Sequence, residues 1–594
     1  MKGFATVGAA LLVLSGVTQP AHANHGLSSE QEQAAAPVEA LRAATSYLVQ
    51  ARDVATAAAL VRQVGGTVVS SVELINTVGA RLSEEQAAAL RHHPDARVFN
   101  NTTVRASSAN EATSNLEDFL RSIPRHAWYV PTFYPAQVGA GALHDLEIYG
   151  YDVGVAVIDT GISDYLSEQY WTKWIVEVDV LGDDVRVKRP HQWWKYGFGD
   201  ESGHGTHVGS IIINDGWNRS TRQYEGVAPY ASLISVRAFD GDGAGSYLDV
   251  IEAIDWVVSN REQHDIRVLN LSFSAAPHSH YWEDPINQAV MAAWKAGIVV
   301  VVSAGNTGPE PMSIGVPGNV PYVITVGAMT DNYTPHIPAD DHVTSFSSAG
   351  PTYEGFVKPD VIAPGGHLLG LVPDDSRLLV EHPQAMAPNE WHYAMSGTSQ
   401  AAAVVSGAVA LLLDAEPELT PDEVKCRLMA TARRATDADG GSAFSVFQQG
   451  AGLIDVSAAL QTDAAGCANV GLDIADDLAG IRHFGGPANM NDDGEFYLMD
   501  MEAATPNQEL EGSGYTWSQG YTWSQGYTWS QGYTWSQGYT WSQGYTWSQG
   551  YTWSQGYTWS QGYVWSQSLP WAEGPPSEAS NARSATVDRW VPNE

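Results

Sequence analysis

Short runs of β-branched and aliphatic residues alternate with longer stretches of helical spacing from about residue 140 to residue 462. Unbroken apolar runs of this kind are typical of strands buried on both faces of a parallel sheet. The stretches between them, such as 248–258 and 285–296, repeat their apolar residues at helical intervals. This order predicts an α/β fold of three layers with a mainly parallel sheet. The strands are predicted at 153–158, 232–236, 268–271, 299–302 and 323–326.

A smaller module precedes this region. Strands are predicted at 47–51, 67–74, 79–82 and 96–104, and helices at 55–64 and 83–92. The second helix begins with Ser83-Glu84-Glu85-Gln86, which matches a capping box. The resulting order, β-α-β-β-α-β, predicts a ferredoxin-like domain. Residues 106–125, which follow, are mostly polar and predict a loop.

The net charge of the chain limits the classes of partner that it can bind. Among 594 residues, 67 are Asp or Glu and 30 are Lys or Arg, so the formal net charge is −37. Phosphate backbones would be repelled, so we expect no nucleic-acid partner. The surplus carboxylates indicate a solvated surface, and a saline habitat or calcium binding are weaker interpretations. The length exceeds that of one ordinary domain.

The first residues predict export. Lys2 precedes an apolar stretch at 3–17, and Ala21-His22-Ala23 forms a typical cleavage site for a signal peptide. The apolar stretch is too short for a membrane anchor, and no later segment is predicted to span a bilayer. We therefore expect a secreted or extracytoplasmic protein, with the periplasm or cell surface as alternatives. Export permits a disulfide between Cys426 and Cys467, and two buried thiols are the alternative.

Residues 514–567 consist of nine copies of Gly-Tyr-Thr-Trp-Ser-Gln, the last with Val564 in place of Thr. Because the period is even, an extended chain places every Tyr, Trp and Gln on one face. A helix would spread the aromatic residues around its axis. The pattern therefore predicts extended or β structure. Packing of aromatic ladders, contact with carbohydrate or a cell surface, and disorder are all open roles.

Three separate segments carry candidate chemistry. Asp159 ends the apolar run 153–158, His204 lies between two glycines, and Ser399 begins a run dense in Ala, Val and Leu. A carboxylate, an imidazole and a hydroxyl in this order form one of the known orders of the serine-protease triad. His207 and Ser396 compete with His204 and Ser399. A metal-binding histidine pair is disfavoured because no Glu follows in the zinc-protease pattern.

The residues around these positions, at 157–161, 203–208 and 393–403, resemble the signature segments of the subtilase family of serine proteases. The resemblance extends over about 140–462. It implies that Asp159, His204 and Ser399 form the triad, with His204 as general base and acid. Residues 301–306 resemble the strand that ends at the family's oxyanion residue, which implies that Asn306 donates a hydrogen bond to the developing oxyanion.

The resemblance also implies a substrate-binding cleft. Segments 243–245 and 271–274 resemble the two strands that hold a substrate backbone between them. Residues 303–305 and Gly315 resemble the lining of the S1 pocket, and Val316-Pro317 matches a cis proline. The implied substrate-binding residues are Gly243, Gly245, Ser272, Ser274, Gly305 and Gly315.

Three positions depart from the family pattern. Gln400 replaces the usual Met after the nucleophile, Ala403 replaces a Pro, and Ser274 replaces a Gly of the S1 wall. Gln400 removes a side chain that peroxide oxidises. Ser274 is expected to narrow the S1 pocket.

The module before the catalytic region resembles the inhibitory propeptide of subtilases. The sequence therefore predicts a secreted serine endopeptidase made as a self-inhibited precursor, with protein or peptide substrates and its own propeptide as inhibitor. The resemblance implies no cofactor for catalysis and leaves room for structural calcium. The predicted organisation is signal peptide 1–23, propeptide and linker 24–125, peptidase domain 126–463, linker 464–513, repeats 514–567 and tail 568–594.

Two rival functions remain at this point. A surface-binding protein could carry an inert protease domain and act through its aromatic repeats, but all four catalytic positions are filled, which favours an enzyme. A protease with a narrow processing role, rather than a broad scavenging one, fits the same residues.

Overall fold

The fold was obtained as a computed structural model, and the chain is described over part of its length. The predicted signal peptide, the tail and most of the repeats lie outside the described residues. The described ranges are 45–106, 114–125, 132–163, 175–182, 184–188, 197–219, 221–436, 442–491 and 495–498, with four dipeptides of the repeats. Those dipeptides pair as antiparallel strands, Thr528–Trp529 with Tyr533–Thr534 and Thr546–Trp547 with Tyr551–Thr552.

The N-terminal module has the ferredoxin-like order predicted from the sequence. Its antiparallel sheet has the strand order β2-β3-β1-β4. Ser83 and Gln86 form the predicted capping box at the start of the second helix. The elements are β1 Thr45–Gln50, a helix Val54–Gln63, β2 Thr67–Val72, β3 Thr77–Leu82, a helix Glu84–Arg91 and β4 Arg97–Asn100.

Two predictions in the next segment are wrong. The predicted strand 96–104 ends at Asn100, and a separate strand, β5 Thr103–Ala106, leaves the module to pair elsewhere. The predicted loop 106–125 contains a helix, Ser114–Ser122. That helix forms because Leu116, Leu120 and Ile123 make an apolar stripe within a polar segment. The stripe packs against Leu369 and Ala394 of the larger body.

The large sheet confirms the predicted α/β fold. Within the described residues it has nine strands in the order β17-β16-β15-β13-β6-β11-β7-β8, with β18 beside β16. All pairings are parallel except those of the short strands β8 and β17. The strands are β6 Gly154–Asp159, β7 Ile175–Asp179, β8 Arg186–Lys188, β11 Ser232–Arg237, β13 Ile266–Leu271, β15 Val299–Ser303, β16 Ile324–Thr330, β17 His342–Val343 and β18 Val361–Pro364.

Long helices pack on this sheet. Thr398–Ala415 contacts β13, β15, β16 and the helix His204–Ile213. Tyr247–Ser259 and Pro285–Lys295 pack against each other and against the sheet. By length and composition alone Thr398–Ala415 could cross a membrane, contrary to the prediction above, but 89% of it is buried. The mainly apolar composition of this helix therefore reflects its place in the core.

Shorter elements complete the described fold. A disulfide joins Cys426 and Cys467, whose Cα atoms are 5.2 Å apart. Part of the predicted linker 464–513 packs on the body, since Asp477 is buried and accepts hydrogen bonds from Tyr281 and Tyr322. The short helices are Tyr134–Gln137, Ala140–His144, Arg377–Glu381, Pro421–Thr431, Val446–Gln449, Val456–Leu460 and Ile474–Leu478. The short strands are β9 Trp217–Asn218, β10 Gln223–Tyr224, β12 Ala244–Ser246, β14 Phe273–Ser274, β19 Leu368–Gly370, β20 Tyr393–Met395, β21 Ala488–Met490 and β22 Phe496–Leu498.

Candidate active site

Asp159 and His204 meet at the end of a central strand. Asp159 is the last residue of β6, and its Oδ1 lies 2.7 Å from Nδ1 of His204. The same oxygen accepts a hydrogen bond of 2.8 Å from the backbone N–H of Thr160. Both side chains are only 2% exposed. The carboxylate therefore holds the imidazole with its proton on Nδ1, which leaves Nε2 able to accept a proton.

Glycines allow the helix of His204 to approach the strand so closely. Gly203 has a φ of 96°, a left-handed conformation that other residues rarely adopt, directly before the helix His204–Ile213. A Cβ at Gly205 would lie 2.4 Å from the carbonyl oxygen of Gly161. The Gly-His-Gly pattern thus has a steric origin at this site.

Asp200, which the sequence did not indicate, holds the segments around Asp159 and His204 together through its carboxylate. Its Oδ1 accepts hydrogen bonds from the Thr160 hydroxyl and the Gly203 N–H, and its Oδ2 accepts two from Thr206. Burial raises the pKa of this carboxyl. An Asp four residues before His204, just ahead of a helix, is the signal that could have identified it.

Ser399 is the second residue of the buried helix Thr398–Ala415. Its Oγ donates a hydrogen bond of 3.0 Å to the carbonyl of Ser272, and the Ser272 hydroxyl donates one of 3.1 Å to the carbonyl of Ser399. The positive end of the helix dipole lies at this serine. Ser399 is thus fixed beside one of the predicted substrate-binding segments.

Asn306 presents an unpaired amide to the same region. Its Oδ1 accepts hydrogen bonds of 2.9 Å from both the N–H and the hydroxyl of Thr398. These two bonds fix the orientation of the amide. Its Nδ2 is buried and has no partner among the described residues. A buried donor that meets no acceptor of the chain is available to an oxygen brought by a ligand or by water.

The predicted cleft segments enclose an extended strand of this same chain. Strand β5 pairs antiparallel with β12 on one side and with β14 on the other. Gly245 lies opposite Val104, and Ser274 lies opposite Arg105. The N–H of Ala106 donates to the carbonyl of Gly243. Segments 243–245 and 271–274 therefore hold a peptide backbone between them, as the sequence predicted for substrate.

His207 and Ser396, the two competing candidates, each make a hydrogen bond to the backbone of another segment. His207 donates from Nε2 to the carbonyl of Tyr393, and burial lowers its pKa to about 3, so it stays neutral. The Ser396 hydroxyl accepts a hydrogen bond from the N–H of His367.

In the described part of the chain, no group of three or more His, Cys, Asp or Glu side chains could hold a metal ion. The Val316–Pro317 peptide bond is cis.

Comparison with known proteins places the chain in a family. The model of the subtilase family matches residues 150–452, about half of the chain. Subtilisin E of Bacillus subtilis (strain 168) is 30% identical over 407 residues, which cover 68% of this chain and 85% of subtilisin E. The chain belongs to the subtilase family of serine endopeptidases.

Two further alignments cover a smaller share of the relative. Serine protease AprX of Bacillus subtilis (strain 168) is 38% identical over 281 residues, which are 46% of this subtilase and 60% of AprX. Fervidolysin of Fervidobacterium pennivorans, a keratinolytic enzyme related to subtilisin, shares the fold with a TM-score of 0.53 at 24% identity. That alignment covers 71% of this chain and 61% of fervidolysin. This subtilase thus spans about three fifths of AprX and of fervidolysin.

Peroxide is expected to leave the activity of this subtilase largely intact. Gln400 follows Ser399, is fully buried, and offers no thioether to oxidise. Gln400→Met is expected to be inactivated much faster than wild type in the same peroxide solution, as followed by residual peptidase activity. Gln461→Met, which adds a methionine at an exposed position, serves as the control. Equal rates of loss for wild type and Gln400→Met would contradict the prediction.

Proposed function

We propose that this subtilase is an endopeptidase that hydrolyses peptide bonds in proteins through an acyl-enzyme on Ser399. His204 takes the proton of the Ser399 hydroxyl as the oxygen attacks the scissile carbonyl, and Asp159 stabilises the imidazolium. His204 then gives the proton to the leaving amine, and water releases the acyl group by the same steps in reverse. The unpaired Nδ2 of Asn306 is the observation that carries the proposal, because an oxyanion is the partner it lacks.

The cleft supports substrates with an extended backbone. Main-chain pairing with segments 243–245 and 271–274, as β5 makes here, does not depend on side chains. Protein and peptide substrates of varied sequence therefore fit this enzyme. Side-chain preference must come from the pockets that flank the scissile bond.

We also propose that the enzyme is made as a self-inhibited precursor. The ferredoxin-like module continues directly into β5, which occupies the cleft as a substrate would. The module also binds the two long helices beside the cleft: Gln50 donates to Gln288, and the N–H of Leu74 donates to Asp255. These contacts support residues 45–106 as a propeptide that blocks the cleft until it is cut and released.

Export and surface contact complete the proposal. The signal-like segment 1–23 and the Cys426–Cys467 disulfide both suit an extracytoplasmic enzyme. The aromatic repeats at 514–567 are proposed to contact carbohydrate or a cell surface, separately from catalysis. Structural calcium stays a proposal for which the described residues offer no ligand cluster.

Labelling with a fluorophosphonate probe tests the nucleophile. Purified, matured protein is expected to be labelled at Ser399, and Ser399→Ala is expected to stay unlabelled and to accumulate as uncut precursor. Ser396→Ala is the matched control, since it removes a nearby serine hydroxyl that accepts a hydrogen bond from the N–H of His367. A folded, propeptide-free wild type that takes no label would refute the proposed function.

A further inference from the structure

Three backbone segments form rigid walls beside Ser399. Ala275 and Val316 exchange two backbone hydrogen bonds of 3.0 and 2.8 Å, and the N–H of Gly315 donates to the carbonyl of Ala304. The Ser303 hydroxyl donates to the carbonyl of Phe273. Segments 273–275, 303–305 and 315–316 are therefore tied to one another. The space between them cannot widen without breaking these bonds.

The side chain of Ser274 lies within that space. Its Oγ would be 3.0 Å from a Cβ built on Gly305 and 1.9 Å from a Cβ built on Gly315. The hydroxyl is thus in contact with both glycine walls, where even a methyl group on Gly315 would overlap it. With glycine at position 274 this volume would be empty and available to a substrate side chain.

The strand pairing shows which substrate residue reaches these walls. Arg105 lies opposite Ser274 and Ala106 opposite Phe273, so the next residue of a bound chain faces Ser272. The carbonyl of Ser272 accepts the hydrogen bond of the Ser399 hydroxyl. That next residue is consequently the one whose carbonyl Ser399 would attack, namely P1.

The sequence of this chain at that position is independent evidence. Ala106 is followed by Ser107, Ser108 and Ala109, which lie just beyond the described residues. Each has one of the smallest side chains. A precursor cut after any of these three residues is cut after a small side chain.

We propose, on the basis of the proposed function, that the enzyme cleaves after small residues, Gly, Ala or Ser, and that Ser274 sets this limit. Ser107–Ser108 is the bond cut in the precursor. Ser274 is a specificity-determining residue: its hydroxyl excludes larger P1 side chains from a pocket whose glycine walls would otherwise admit them.

Quenched peptides that differ only at P1 test the limit. Wild type is expected to cleave Ala and Ser peptides about 100-fold better in kcat/KM than Leu or Phe peptides, a ratio that steric exclusion of a few methylenes can supply. Ser274→Gly is expected to raise the value for Phe at least tenfold and to change that for Ala less than threefold. Ser122→Gly, at an exposed serine, should change neither.

The full precursor provides a second readout. Ser107→Phe is expected to accumulate uncut, and adding Ser274→Gly is expected to restore cleavage after residue 107, as judged by N-terminal sequencing. Ser274→Ala, which removes only the hydroxyl, covers the case in which glycine impairs folding, and should admit Val at P1. Equal cleavage after Phe and Ala by wild type would overturn this inference alone. A folded, mature enzyme that cleaves none of the peptides would overturn the proposed function as well.

Discussion

Alanine at His204 is expected to lower kcat on a peptide substrate by about 10⁶-fold, the size of loss that subtilisin itself shows when its base is removed. The Ser399 hydroxyl donates its hydrogen bond to the carbonyl of Ser272, which cannot take a proton. Without the imidazole held by Asp159, the site lacks the general base that takes this proton in the proposed mechanism. The variant would be matured in trans by tagged wild-type enzyme, which is then removed before kcat is measured.

The double variant makes this test sharper. Because the two residues act in one step, His204→Ala with Ser399→Ala should be no slower than either single variant. His336→Ala, which removes an exposed imidazole, should retain wild-type kcat. Retention of more than a few per cent of activity by His204→Ala, or strictly additive losses in the double variant, would mean that His204 is not the base.

Local signals in the sequence account for much of this fold. The run 153–158 predicts β6 because a strand buried on both faces has to be apolar throughout, and the run stops at Asp159, the last residue of the strand. Ser83 and Gln86 predict the start of a helix because their side chains pair with nearby backbone groups. Such features depend on neighbours along the chain, so the sequence alone reveals them.

Features that depend on distant partners were missed. Strand β5 forms only because β12 and β14, more than a hundred residues away, offer two free edges, and nothing in residues 103–106 signals this. Asp200 belongs to no motif, and the one of its four hydrogen bonds that ties it to β6 comes from the hydroxyl of Thr160, 40 residues earlier in the chain. The same holds for Asn306: the sequence suggests the residue, but only the bonds from Thr398 show which way its amide points.

Loss of the Asn306 amide should therefore be nearly as informative as loss of the base. Asn306→Ala is expected to lower kcat by about 10²–10³-fold, roughly 3–4 kcal/mol, which is the effect known for the corresponding donor of subtilisin. KM should change little, because the donor serves the oxyanion of the transition state more than the ground-state carbonyl. Steady-state kinetics on matured enzyme give both constants.

Thr398→Val is the matched comparison for Asn306→Ala. It keeps the Nδ2 donor but removes the hydroxyl bond of 2.9 Å to Oδ1, leaving the backbone N–H of residue 398 as the remaining anchor of the amide. It also removes the bond of 3.2 Å that the hydroxyl accepts from the N–H of Gly305. A looser amide should cost kcat less than its complete loss, so we expect an effect of intermediate size with KM again unchanged. If Asn306→Ala instead raised KM at constant kcat, the amide would bind the ground-state substrate and the oxyanion would need another donor.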